Sequence, residues 1–365
     1  MTSLSVAVIG GGRWARALAS FLLHNQRRSP ERIARVLHYR PPRELIRAGQ
    51  EDSRAEQEAS VHHTDVPAAA GEVPDVHAVH SAPSAERAQV TSIVLSDLAA
   101  ADVIFMAVPA ASVRKVLRLA APHLHGNQSM IHAIGSVIPA SDECPQSQLI
   151  SRAIEEETPI RKIGVLAGPA LAPDLEEFAP AALVCGSRFD EVGAQAIQVL
   201  SGHSLLVYTT RDLIGVELAR AGSSVIALAA GVANILDLGT PARAILITRG
   251  AAEMARIAVQ LGADERTFFG LAGVGEFVAA TERRGSADFE LGRLLGQRIP
   301  LAEALRQVGR VCDSPQMVRE AHLLGHRNHV RTSIVSALYQ LLHGKFDTKD
   351  ALLALLSTDV HNERE

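Results

Sequence analysis

The tightest constraint on the fold comes at the start of the chain. Residues 4–10, LSVAVIG, form a short apolar run ending in glycine. After two more glycines comes RWARALASFLLHN, with apolar residues at helical spacing. A run of that length bounded by glycine reads as a buried strand, and the next segment as an amphipathic helix. Gly10, Gly12 and Ala15 place G-x-G-x-x-A at the turn between them. The first glycine permits the tight turn, and the second lets backbone approach a pyrophosphate. The small third residue lets helix pack on strand, and the helix N-terminus offers N–H groups and a positive dipole end. The spacing alone is a weak signal; its strand–turn–helix setting predicts dinucleotide binding. A glycine-rich turn without a ligand is the competing reading.

Further strands are expected at ARVLHYR (34–40), DVIFMAVPA (102–110), SMIHAIGS (129–136), KIGVLAGP (162–169) and AALVCGS (181–187). Helical patterns separate most of them, which predicts a doubly wound parallel sheet over 1–206. After about residue 207 strand signals stop, and IGVELARAGSSVIALAAGVANILDL opens a series of helical stripes. The expected architecture is therefore α/β: an N-terminal Rossmann-type sheet, then an all-helical C-terminal domain over 207–365. Residues 48–90 read as an irregular insertion. His62, His63, His77 and His80 lie there without acid or cysteine at regular spacing, so no metal is expected.

A formal charge of -4 gives no reason to expect a nucleic-acid or membrane-surface partner. Cys144, Cys185 and Cys312 lack zinc or disulfide spacing, and no leader or uninterrupted membrane span is apparent, so a cytoplasmic protein is expected. Cofactor choice depends on the end of the second strand, where an acid would bind the ribose hydroxyls of NAD. Here stands His38-Tyr39-Arg40-Pro41. Arg40 can pair with a 2′-phosphate, which favours NADP over NAD; a solvated arginine is the alternative.

Several segments together resemble the bacterial NAD(P)-dependent glycerol-3-phosphate dehydrogenases: VIGGGRWARALA, ADVIFMAVPAASVRKVL, VLAGPALAPDL, GVELARAGSSVIALAAGVA and ARAILITRGAAEMARIAVQLGADERTFFGLAGVGEF. The resemblance spans nearly the whole chain except about 41–90. It implies that Arg13, Trp14, Arg40, Ala172, Val311 and Asp313 stand at cofactor positions, with Asp313 in place of a glutamate. It also implies a small-molecule substrate, a phosphorylated triose in the family, and a homodimer as candidate assembly.

The substrate side departs from the family pattern. The family's general-base lysine, in Gly-Ala-Leu-Lys-Asn, aligns with Ser223 of Arg220-Ala221-Gly222-Ser223-Ser224. Its second lysine aligns with Ile134, and a serine expected after Gly168-Pro169 is Ala170. The Ser-Arg-Asn phosphate clamp reads Ser286-Ala287-Asp288, and a family aspartate is Glu276. Four of the 36 cationic side chains are lysine, none between residues 163 and 344. A triose phosphate needs cations in a desolvated site. Protonating its developing alkoxide is worth on the order of 10²–10⁴-fold in rate. Candidate catalytic residues are Ser223, Glu276 and His132; candidate substrate ligands are Gly168, Ser286 and Arg249, with Arg220, Arg283 and Arg284 as shifted cations. Two functions fit. One is hydride transfer between NAD(P)H and dihydroxyacetone phosphate or a related keto or hydroxy substrate. The other is a catalytically inactive NAD(P)H-binding paralogue acting as sensor or interaction protein.

Overall fold

The computed structural model describes residues 2–46, 91–140, 147–202, 204–235, 239–282 and 286–344. The insertion expected over about 48–90, with its four histidines, lies outside the described residues, as do Cys144, Arg283 and Arg284. The N-terminal part runs β1 (Leu4–Ile9), α1 (Arg13–Arg28), β2 (Ile33–Tyr39), β3 (Thr91–Ser92), β4 (Val103–Met106), α2 (Val113–Ala120) and β5 (Ser129–His132). It continues with α3 (Ile150–Glu157), β6 (Lys162–Ala167), α4 (Ala172–Glu177), β7 (Ala181–Ser187), α5 (Asp190–Leu200) and β8 (Leu205–Thr210).

Successive residues of β1 point to opposite faces, and both faces are covered. Val6 and Val8 pack with Leu18, Phe21 and Leu22 of α1. Ala7 and Ile9 pack with Val113 and Leu117 of α2 and Ile154 of α3. Burial on both sides is why the strands read as unbroken apolar runs. The sheet has eight strands in the order β3-β2-β1-β4-β5-β6-β7-β8. From β3 to β6 all pairs are parallel, as expected. β7 instead runs antiparallel to β6, and β8 pairs parallel with β7. β8 is a strand that the periodicity does not reveal, and the expected division at 206/207 falls inside it. Strand order reverses between β1 and β4, which opens a crevice at their carboxyl ends.

The helical part comprises α6 (Leu213–Ile235), α7 (Gly239–Val259), α8 (Glu276–Thr281), α9 (Ala287–Gly296), α10 (Leu301–Val308), α11 (Ser314–Arg327) and α12 (Ser333–Leu342). By length and composition α6 could cross a membrane, but 89% of its apolar window is buried, so it serves as core. It packs on β6 and β7 as well as on α7, α8, α9 and α11. Its backbone touches that of α9: a Cβ on Gly292 would lie 2.0 Å from the Leu228 carbonyl oxygen, and one on Gly231 2.1 Å from that of Phe289. That contact sets the start of α9, with Ser286 and Asp288, beside Ser223.

Two acids on or next to α6 bind distant backbone. Asp212 accepts from the Gly215 N–H at 2.9 Å, the Asp264 N–H at 3.0 Å and the Thr267 hydroxyl at 2.6 Å. Glu217 accepts from Ile150 N–H at 2.5 Å and Ser151 N–H at 3.2 Å, capping α3 from the helical part. A cap of this kind is worth about 0.5–2 kcal/mol.

Candidate active site

The glycine loop divides its labour as its spacing predicts. Gly10 has φ +154°, and a Cβ there would lie 2.3 Å from the Ala107 carbonyl oxygen and 2.8 Å from the Ala15 Cβ. Glycine is obligatory for that approach. At Gly11 and Gly12 an added Cβ would meet nothing within 4 Å, so the backbone there faces open space. Gly12 also caps α1 without a side-chain cap, and no acid occupies the first turn. The orphan N–H groups of the helix therefore point at a space fit for a pyrophosphate.

The loop is braced from below. His38 is buried with Nε2 2.7 Å from the Gly10 carbonyl oxygen, and Gly10 N–H bonds the Tyr39 carbonyl at 3.0 Å. Burial first, then Arg40 and Arg16, push the His38 pKa down, against the hydrogen bond to Gly10. A neutral ring donating from Nε2 satisfies that contact. Arg16 donates to the Gly11 carbonyl at 2.5 Å. Arg13 pairs with Glu176 of α4 at 2.7 Å, tying the loop to the helix that begins at Ala172. Arg40 is exposed directly after β2 and makes no ion pair among the described residues.

A cavity of about 280 Å³ opens between the strand ends and the helices. Trp14, Ala107–Ala110 and Ala133–Gly135 form one side; Arg220, Ser223, Ser224, Ser286, Asp288, Val311 and Asp313 form the other. A second cavity of about 410 Å³ adjoins it, and Pro109, Ala110, Val311 and Asp313 line both. Among the described residues lining the first cavity, Arg220 is the one cation, facing two carboxylic acids.

Arg220 is already engaged. Its Nη1 donates to the fully buried Glu276, whose other oxygen accepts the Gly168 N–H at 3.2 Å. A π-helical turn at Leu271–Gly275 delivers Glu276 to the start of α8. Arg220 Nε is buried without a hydrogen-bond partner, and it lies close to Gly135 on the cavity wall. Such a donor is suited to a ligand oxygen. Asp288 accepts the Ser314 N–H at 2.8 Å and so caps α11, while Ser286 accepts the Phe289 N–H at 3.1 Å and caps α9. Burial, then the Asp288 charge, push the Asp313 carboxyl up to about 7; Arg220 and the Ser136 hydroxyl oppose this.

The structure thus gathers Trp14, Ser223, Ser286, Val311 and Asp313 around one cleft, with Ile134 as a nearly buried apolar wall. Ser223 donates its hydroxyl to the Arg220 carbonyl at 2.8 Å, within its own helix. Glu276 reaches the cleft through Arg220. His132 does not line it: the last residue of β5 is fully buried and faces Glu217, 3.7 Å away, beneath α6. Arg249, on α7, is not among the lining residues. His38 and Ser136 are supporting groups that sequence reasoning missed, since neither sits in a motif. Arg220 was more accessible: it precedes Ser223 by three residues, so the two share a helix face.

Residues 5–193 match the family model described as NAD-dependent glycerol-3-phosphate dehydrogenase N-terminus, and residues 212–353 that of its C-terminus. The chain is 32% identical over 344 residues to a glycerol-3-phosphate dehydrogenase [NAD(P)+] of Pseudomonas paraeruginosa, covering 92% of this chain and 89% of that one. It is 30% identical to the enzyme of the same description from Macrococcus caseolyticus, covering 99% and 100%. A glycerol-3-phosphate dehydrogenase structure from Coxiella burnetii superposes with TM-score 0.75 at 22% identity, covering 98% and 99%.

Proposed function

We propose that this chain, which belongs to the NAD-dependent glycerol-3-phosphate dehydrogenase family, reduces a carbonyl substrate less anionic than a triose phosphate. NADPH is the favoured cofactor, bound at the Gly10–Ala15 loop with Arg40 on its 2′-phosphate. The observation that carries the substrate reading is the charge of the cleft. Its described lining holds two carboxylic acids and one guanidinium, and that guanidinium already pairs with Glu276. Among the described lining residues a phosphate would meet no cation outside that pair and would face Asp288, an unfavourable placement in a desolvated site.

A bound reduced nicotinamide supplies hydride to the carbonyl carbon. The chain's part is to hold the substrate. Arg220 Nε–H donates to the carbonyl oxygen, Ser224 and Ser286 offer further polar edges, and the nearly buried Ile134 forms an apolar wall. We place the reaction in the cytoplasm, in keeping with the free, buried thiols of Cys185 and Cys312.

The test is NADPH consumption against a panel of unphosphorylated ketones, keto acids and aldehydes, with dihydroxyacetone phosphate alongside. At least one unphosphorylated carbonyl is expected to exceed dihydroxyacetone phosphate by about 100-fold in kcat/KM, equivalent to about 2.7 kcal/mol of transition-state binding. The second reading is the inactive NAD(P)H-binding paralogue, favoured by the Ser223 hydroxyl being tied to its own helix. NADPH binding without turnover of any panel member would select it.

A further inference from the structure

Resting on that reading of the cleft, we infer that Asp313, facing Asp288 where the two cavities join, is the acid–base group that moves the substrate proton. Asp313 lines both cavities, so its carboxyl meets the space a substrate must enter. It also directly precedes α11, where an aspartate would ordinarily cap the helix, yet its side chain makes no cap hydrogen bond. Asp288 performs that task instead, accepting the Ser314 N–H at 2.8 Å. The helix end stabilises the Asp288 carboxylate, and two adjacent acids do not readily ionise together. The proton of the pair is thereby left on Asp313.

Among the described residues, the groups facing Asp313 are Asp288 from α9, Arg220 from α6 and Ser136 beyond β5, with Arg310 and Cys312 on its own loop. Burial, Asp288 and Asp313 hold the Cys312 thiol protonated, so it is no rival base. In the reductive direction, hydride adds to the carbonyl carbon as the C=O π pair takes the Asp313 proton. A C–H and an O–H bond form, and Asp313 is left as a carboxylate that regains its proton from solvent. The oxidised nicotinamide and the alcohol complete the balance. A carboxyl pushed up to about 7 is matched to a proton transfer near neutral pH.

The experiment uses the full chain, NADPH and the most active carbonyl of the panel. Reductive turnover should be flat below about pH 7 and fall about tenfold per pH unit above it, because the protonated acid is required. Asp313→Asn, assayed at saturating NADPH with its NADPH affinity titrated separately, should lose about 100-fold or more in kcat, with the pH limb gone. Asp313→Glu, which returns a carboxyl, should recover much of kcat and restore a limb. Asp313→Asn turning over at the unmodified rate, with NADPH still bound, overturns the role of Asp313 and leaves the cofactor reading intact. Failure of the unmodified protein to bind NADPH overturns both. Should the asparagine variant not fold, a pH-independent rate across pH 5–9 in the unmodified protein is enough to refute the inference.

Discussion

Replacing Arg220 by alanine should be among the most destabilising single changes in the cleft. Glu276 is fully buried, and its two oxygens are met by Arg220 Nη1 and the Gly168 N–H. Truncating the arginine takes the guanidinium away from a carboxylate held in a low-dielectric interior, which costs about 3–5 kcal/mol. For a chain of this size the loss should lower Tm by about 4–7 °C. The double variant Arg220→Met, Glu276→Gln removes both charges and keeps most of the volume, so it should recover most of the stability. Chemical denaturation of Arg220→Met, Glu276→Gln and the double gives the coupling directly, expected at about 2 kcal/mol or more. Arg220→Ala costing less than about 1 kcal/mol, or additive singles, would show that the pair is not what holds the cleft floor.

Two further changes probe the cofactor half. Gly12→Glu should fold normally, because a Cβ there meets nothing within 4 Å, yet abolish NADPH binding in a fluorescence titration. Retained affinity would remove the pyrophosphate from that loop. Arg40→Ala should weaken NADPH more than NADH by about 1–3 kcal/mol, as expected for a lost charge-assisted pair. Equal losses for both cofactors would mean that Arg40 only packs.

The legible parts of this protein are those that local chemistry specifies. A strand ending at Gly10, a helix starting after Gly12, and the long apolar α6 each follow from the composition of one short window. β8 was hidden because LLVYTT is short and sits on the sheet edge, where Leu206 and Tyr208 are exposed and the alternation has no second partner. The reversal of β7 against β6 depends on how the chain returns after α4, which periodicity does not encode. At the site, the gathering of Ser223, Ser286 and Asp313 was readable only through resemblance. The engagement of Arg220 by Glu276 joins residues 56 apart and required the fold. Glu217 shows the same limit: its cap serves α3, 67 residues upstream, not its own helix. His132 looked accessible beside a strand end but turns inward, since the face a strand residue presents depends on register alone.

The central claim is a retained dinucleotide loop beside a cleft whose described lining holds no cation outside the Arg220–Glu276 pair. It is tested most directly by calorimetric titration of dihydroxyacetone phosphate into the protein saturated with NADPH. The charge arrangement around Arg220, Asp288 and Asp313 predicts no saturable binding below about 1 mM, equivalent to less than about 4 kcal/mol of affinity. Saturable binding in the micromolar range, with NADPH oxidised as the ligand is added, would contradict it and return the chain to its family's phosphorylated substrate.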